Sequence, residues 1–206
     1  MLFLKTASNI STKETIIGVI VMVVIVTIYV LIRDKINKKK ASTGEDREAV
    51  WNIIQKAVPD AQNYTKAYAC WEWSVYQGKR KTTTYWYYGV AFNSESIYIV
   101  PLSCEAGDIS YSNAYKLTKA DLGMINSKKD AVWAEFYDKK GNEILSVSVL
   151  GENLRDDKYH PVNIIQDEEA KKFAAWKDNW MESVNAANGI EVSGKMKKPV
   201  KRRYNV

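Results

Sequence analysis

The residues best equipped for chemistry are few and poorly spaced for it. Cys70, Cys104 and His160 are the only thiols and the only imidazole in a chain of 206 residues. The cysteines form no C-x-x-C pair, so neither a metal site nor a thiol-redox couple has its usual spacing. Both lie in apolar, strand-like surroundings and are expected to be small core hydrophobes. Acid/base chemistry would have to come from carboxylate pairs such as Asp156 with Asp157 or Glu168 with Glu169. Each pair is adjacent in the chain, which suits a solvated turn and a helix start better than an acid facing a base across a substrate. No G-x-S-x-G, Walker loop, H-E-x-x-H or Gly-rich dinucleotide turn occurs, and His160 precedes Pro161 in an expected loop. Catalysis, a bound metal and a cofactor are therefore not expected.

Charge is the second kind of chemistry on offer, and it is unevenly spread. The overall charge is +6, yet Lys195, Lys197, Lys198, Lys201, Arg202 and Arg203 alone contribute +6, Arg33 to Lys40 contributes +4 and the first fourteen residues +1. Ala41 to Gly194 therefore carries −5, an acidic body between basic ends. A nucleic-acid binder should show its positive charge on a folded face or stripe, and this partition argues against one. It suits a body held near an anionic leaflet, where a basic residue close to the surface is worth about 1 kcal/mol. A topology signal at one end and a solvated tail, 191–206, at the other would give the same partition.

Thr15 to Ile32, "TIIGVIVMVVIVTIYVLI", is eighteen uncharged residues. As a helix it would be roughly 27 Å long, close to the ~30 Å hydrocarbon core of a bilayer, whereas a typical strand has about five or six residues. The run leaves through Tyr29, Leu31, Ile32 and Arg33 without a small-residue exit, so a retained transmembrane helix is expected rather than a cleaved signal. Lys5 and Lys13 precede it, and Arg33, Lys35, Lys38, Lys39 and Lys40 follow. That asymmetry predicts a cell-membrane protein with residues 1–14 as a short non-cytoplasmic tail and the carboxyl side in the cytoplasm.

The elements after the span are expected as follows. Residues 33–66 form a basic juxtamembrane segment and a short amphipathic helix, with Val50, Ile53, Ile54 and Ala57 at helical spacing, Thr43 with Asp46 as a capping box and Pro59 as a stop. From Ala67 the pattern turns to strands: Ala67–Tyr76 and Thr82–Phe92 as a hairpin, then Ile97–Leu102 and Ile109–Leu117. A second group comprises Ala120–Asn126, Ala131–Tyr137 and Glu143–Leu150, with Asp138–Asn142 as a hairpin turn. After the irregular "GENLRDDKYHPVN" comes a helix capped by Asp167 and stopped by Asn188-Gly189, with Ala170, Phe173, Trp176 or Lys177, Trp180, Val184 and Ala187 along one face. The fold class is α+β, with seven mainly antiparallel strands and a C-terminal capping helix.

Seven strands grouped four and three, closed by one long helix bearing tryptophan, resemble the pleckstrin-homology (PH) fold over 67–190. The resemblance implies two near-orthogonal antiparallel sheets in a partly open barrel, plugged at one end by the helix. Small membrane-anchored bacterial proteins with a PH-like domain after one span look similar. In lipid-binding members, basic residues of the first hairpin grip phosphorylated headgroups, and Lys79, Arg80 and Lys81 occupy that loop here; the strand after it, Thr82 to Trp86, lacks the family's further arginine. The expected function is a single-pass, membrane-anchored PH-like binding module at the cytoplasmic leaflet, engaging anionic lipid headgroups or a membrane protein partner. The alternative is a structural or regulatory subunit of a membrane complex that uses the aromatic stretches "WEWSVY" and "TYWYY".

Overall fold

A computed structural model describes residues 12–105, 108–155 and 161–190. The apolar run lies in helix α1, Thr12–Thr43, which does not stop at Ile32 but carries the basic segment as further helical turns. Its window of highest hydropathy, mean 3.0, has no buried residue, so by length and composition it can cross a membrane. A helix that is apolar on every side finds no burial by packing one stripe on a domain. Gly44 follows with φ 78, a left-handed joint that suits a residue without Cβ, and helix α2, Glu45–Ala57, begins at once. No side chain caps α2. Thr43 belongs to α1, and Asp46 instead accepts the Asn163 backbone N–H at 2.7 Å, so the expected capping box is replaced by a tertiary bond.

Ten strands follow: β1 Thr65–Gln77, β2 Arg80–Phe92, β3 Ser96–Glu105, β4 Asp108–Tyr111, β5 Tyr115–Thr118, β6 Met124–Asn126, β7 Trp133–Tyr137, β8 Glu143–Ser148, β9 Glu152–Asn153 and β10 Ile164–Ile165. Eight of them form one open sheet in the order β4-β3-β2-β1-β8-β7-β6, with β5 also on β3, and every pairing described is antiparallel. Three differences from the expected seven strands have physical causes. Ile109–Leu117 is two strands because their partner β3 contains Pro101. The carbonyl of Pro101 accepts the Ser112 N–H at 3.0 Å, so its missing N–H faces the same edge. There Ser112, Asn113 and Ala114 bulge out between the Tyr111–Leu102 and Tyr115–Ile99 pairs. In the expected fifth strand, Lys119–Asp121 is instead a 3-10 turn closed by a Thr118–Asp121 capping box, and only Met124–Asn126 is extended. The expected irregular stretch contains the two-residue β9, which pairs with β10.

Both faces of the sheet are covered near its centre. On one face α2 buries Val50, Ile53 and Ile54 against Tyr68, Cys70, Ala91, Val100 and Leu102. On the other, helix α3, Asp167–Ala187, buries Phe173, Trp176, Trp180 and Val184 against Ala67, Ala69, Val90, Phe92, Ile97 and Ile99. Ile125 of β6 and Phe136 of β7 belong to that same cluster although their strands lie far along the sheet from β3, so the sheet curls around α3. The Trp176 and Trp180 rings lie 4.6 Å apart, and their indole N–H groups donate to the carbonyls of Asn93 and Ser94 in the β2–β3 turn at 2.6 and 3.2 Å. Lys177 is fully buried beside Trp176, its ammonium donating to the Lys128 carbonyl and to Asp178.

The two halves of the sheet touch at one backbone pair, Cys70 with Ser148. Beside that pair Gln166 does the work of a strand. Its Oε1 accepts the Tyr68 N–H at 2.9 Å, and its Nε2 donates to the carbonyls of Tyr68 and Leu150 at 2.7 and 2.8 Å. Gln166, not Asp167, is also the N-cap position of α3, without a side-chain cap. At the other end of α3, buried Asn185 accepts the Ile125 N–H at 2.9 Å and donates to the Ile125 carbonyl at 3.0 Å. Replacing Gln166 by Leu is expected to destabilise the protein by roughly 1 to 3 kcal/mol for each buried group left unpaired; a urea midpoint like that of the parent would show that water reaches the seam.

Trp180→Ala is expected to cost about 3 to 5 kcal/mol. Lys171→Ala, at a side chain 73% exposed, should stay within about 0.5 kcal/mol. Equal melting shifts for the two would mean that the α3 stripe is not the core.

Candidate functional site

The first hairpin is the structural feature that stands apart from the body. Its ladder runs through thirteen residue pairs from Thr65–Phe92 to Gln77–Arg80. The near-continuous apolar runs Ala67–Cys70 and Gly89–Phe92 are buried on both faces, as a central strand pair requires. Among the described residues, β8 pairs with β1 at Cys70 and β3 pairs with β2 no further than Tyr87, so from Trp71–Trp86 outward no third strand is paired to the hairpin. The arm closes through the two-residue turn Gly78-Lys79, with Gly78 at φ 61, the left-handed position that a II′ turn reserves for glycine.

Alternation gives the arm two unlike faces. Paired residues share a face, so Trp71, Trp73, Val75 and Gln77 stand with Trp86, Thr84, Thr82 and Arg80. Trp73, Val75 and Trp86 of this face are 36%, 43% and 40% exposed. The opposite face holds Glu72, Ser74 and Tyr76 with Tyr85, Thr83 and Lys81, and Tyr76 at 70% is more exposed than any apolar residue of the first face. Here polar groups find one another: Lys81 lies 3.7 Å from Glu72, and Ser74 bonds to Glu72 at 3.1 Å and to Thr83 at 3.0 Å.

The three expected headgroup contacts are all exposed but do not converge. Lys79 is in the turn, Arg80 is on the tryptophan face beside Gln77, and Lys81 is on the other face beside Glu72. They form a charged end to the arm rather than a pocket. Lys195, Lys197, Lys198, Lys201, Arg202 and Arg203, like His160, Asp156 and Asp157, lie outside the described residues.

Elsewhere the reactive residue types are held in unreactive settings. Cys70 and Cys104 are free thiols under α2; burial first, then the carboxylates of Glu72 and Asp46 respectively, pushes each thiol from 9.0 up to about 11. Glu168 pairs with Lys171 at 2.9 Å on the surface, and Glu169 pairs with Arg47, so the adjacent carboxylates serve separate ion pairs. Among the described residues no group of three or more His, Cys, Asp or Glu could hold a metal ion. A shallow cleft of ≈ 400 Å³ between α3 and the β2–β3 turn offers Lys119, Lys172, Asn93 and Asn179, but no carboxylate, thiol or imidazole.

No family model, curated protein or solved structure matches the chain. The geometry alone therefore carries the functional reading.

The thiols also make a test of the α2 interface. Their folded pKa values lie above the ordinary 9.0, so above that pH the unfolded chain releases protons that the folded chain retains. The stability they contribute is whole below about pH 9 and is lost as pH rises toward 11. Between about pH 8 and pH 9.5, below the ordinary tyrosine pKa of about 10, stability should fall with pH and fall less steeply in a Cys70→Ala/Cys104→Ala variant. Parallel slopes would show that the thiols reach solvent.

Proposed function

We propose that the protein is a single-pass membrane-anchored binding module whose body is held at the cytoplasmic leaflet to engage anionic lipid. The observation that carries this reading is α1, a helix with an apolar stretch that nothing in the body covers, continuing without a break into five basic residues. The body is fastened to that continuation: the Asn37 side chain donates to the Arg155 carbonyl, Lys38 lies 3.5 Å from Glu152, and Ala41 is buried. Lys38 gains from Asp34 as well as Glu152, and the two carboxylates raise its pKa. About 16 Å of helix separates Arg33 from Thr43, which keeps the body close to the headgroups.

The order of strands, the long first hairpin and the terminal helix with Trp176 and Trp180 support a PH-like identity for the body. An added helix α2 and a split fourth strand mark where it would depart from the family. Tail residues Lys195, Lys197, Lys198, Lys201, Arg202 and Arg203 would add attraction at about 1 kcal/mol each near an anionic surface, opposed by the acidic body. The exposed aromatic arm is the observation that favours the second reading, a subunit of a membrane complex.

The protein should stay in the membrane pellet after alkaline carbonate extraction. With Cys70 and Cys104 replaced by alanine and a reporter cysteine at Lys140, in the exposed β7–β8 turn, an impermeant maleimide should label lysed cells but not intact ones. Labelling of intact cells would reverse the orientation. Release by carbonate would remove the anchor, and a partner recovered in fixed ratio after mild solubilisation would select the subunit reading.

A further inference from the structure

The first hairpin carries a sheet edge into its outer half, and the ladder shows which backbone groups face that edge. Tyr68 turns both its N–H and its carbonyl away from β2, toward the Gln166 carboxamide. The β1–β2 register then runs without a break to Gln77–Arg80. Alternate residues of a strand point their backbone groups to the same side, so after Tyr68 the outward residues are Cys70, Glu72, Ser74 and Tyr76. The turn agrees. A two-residue loop makes Gln77–Arg80 a pair bonded within the hairpin, which again leaves Tyr76 facing outward. Gln166 meets Tyr68 and β8 pairs at Cys70, but among the described residues no strand is paired to β1 beside Glu72, Ser74 or Tyr76.

The two edges of the arm are unlike. That of β2 carries Arg80 and Lys81, and charged side chains, lysine above all, discourage pairing between edges. From Trp71 to Gln77 β1 has no proline, no bulge and no basic residue, and its one charge, Glu72, lies 3.7 Å from Lys81 of its own hairpin. A two-stranded ribbon is at best marginally stable in water, so this edge gains from a further strand. Its residues match a second copy of themselves. With a two-fold axis at Ser74, Glu72 meets Tyr76 of the second copy, Ser74 meets Ser74, and all three outward residues are bonded. Between them Trp73 stands opposite Val75, and Val75 opposite Trp73, at the closely spaced positions of the ladder. Aromatic and β-branched side chains paired in this way stabilise sheets. An axis at Glu72 would run into β8 at Cys70, and one at Tyr76 would run past the turn.

We propose that the protein self-associates through this edge: the outer halves of β1 from two copies pair antiparallel about Ser74 and join two hairpins into one four-stranded sheet. Main-chain bonds supply the attraction, and the alternating side chains set the register. The tryptophan faces of both copies then lie on one side of the joined sheet. A contact of about seven residues a side is small, so association should grow with the density of chains.

The full chain, with Cys70 and Cys104 replaced by alanine, is labelled with a nitroxide in turn at Ser74→Cys, at Thr83→Cys across the hairpin and at Ile25→Cys in α1. Each is placed in vesicles of phosphatidylglycerol and phosphatidylcholine at rising protein density. In the paired state the chains meet at 74, while the two positions 83 lie three strand spacings apart, roughly 14 Å. Spin–spin coupling should therefore be strong at 74, weaker at 83 and lost on dilution with unlabelled chain. Ser74→Pro removes an N–H that points away from β2 and should abolish the coupling at 83. Val75→Lys, which leaves the backbone intact, should do the same by placing charge on the edge.

Coupling at 83 equal to or stronger than at 74 would move the contact to the β2 edge and overturn the proposal. Coupling at 25 alone would assign association to α1, and no coupling at any density would exclude it; either overturns the edge contact. A label at 74 that is immobilised but uncoupled, and freed when residues 191–206 are deleted, would show that the chain's own tail covers the edge, and would overturn it as well.

Discussion

The body depends on a seam that is closed by a side chain instead of a strand. β1 meets β8 at the single pair Cys70–Ser148, and just before it the peptide groups of Tyr68 point into a fully buried gap. The carboxamide of Gln166 has one acceptor and two donor hydrogens, enough to meet both Tyr68 groups and the Leu150 carbonyl. Because Gln166 stands at the start of α3, the bond that joins the two half-sheets also sets where the helix begins. Asn185 repeats the device at the other end of α3 against β6. Two amides therefore fix the direction of the helix, and the stripe from Phe173 to Val184 fills the space between them. Apolar burial supplies most of the stabilisation, but it is non-directional, and the amides select one placement among several that would bury similar area.

α2 and the arm follow from the same seam. With Tyr68 held by Gln166, its ring and Cys70 face away from α3 and give α2 its apolar bed. The first hairpin is then clamped in its inner half between two helices, and thirteen pairs in register carry that order outward past the last pairing with a third strand among the described residues. An arm of this length would fray if its inner half were not buried on both faces.

The parts of this fold that were legible in the sequence are those written in periodic patterns. The α3 stripe and the first hairpin repeat residue types at the spacing of the element, while the Asp138–Asn142 turn was legible by composition and the long apolar helix by its unbroken uncharged length. What was not legible depends on a single residue meeting a distant one. Gln166 and Asn185 look like ordinary polar positions at the ends of an amphipathic helix, and nothing nearby signals that each faces a buried peptide group. Lys177, in the middle of α3, was expected to face water with the stripe running through Trp176, because a lysine ordinarily snorkels to solvent; it is instead fully buried, with the Lys128 carbonyl and Asp178 around its ammonium. The split of the fourth strand was signalled by Pro101, but only its pairing partner shows which edge loses the N–H. The basic cluster at the arm tip was readable as charge. Its division over two faces was not, because that depends on the register set by the Gly78 turn.

The unbroken run of α1 from Thr12 to Thr43 has one more consequence. A body tied to its anchor by a loose linker can tumble and present any side to the bilayer. This one is joined by a helix that its own residues grip at Asn37, Lys38 and Ala41, with Gly44 as the left-handed joint between α1 and α2. If α1 spans, it acts as a stiff post, and each surface of the body sits at a preset height above the lipid. Partners would then be sorted by altitude as well as by chemistry, and a tilt of the post in a thinner bilayer would lower one side of the body while raising the other.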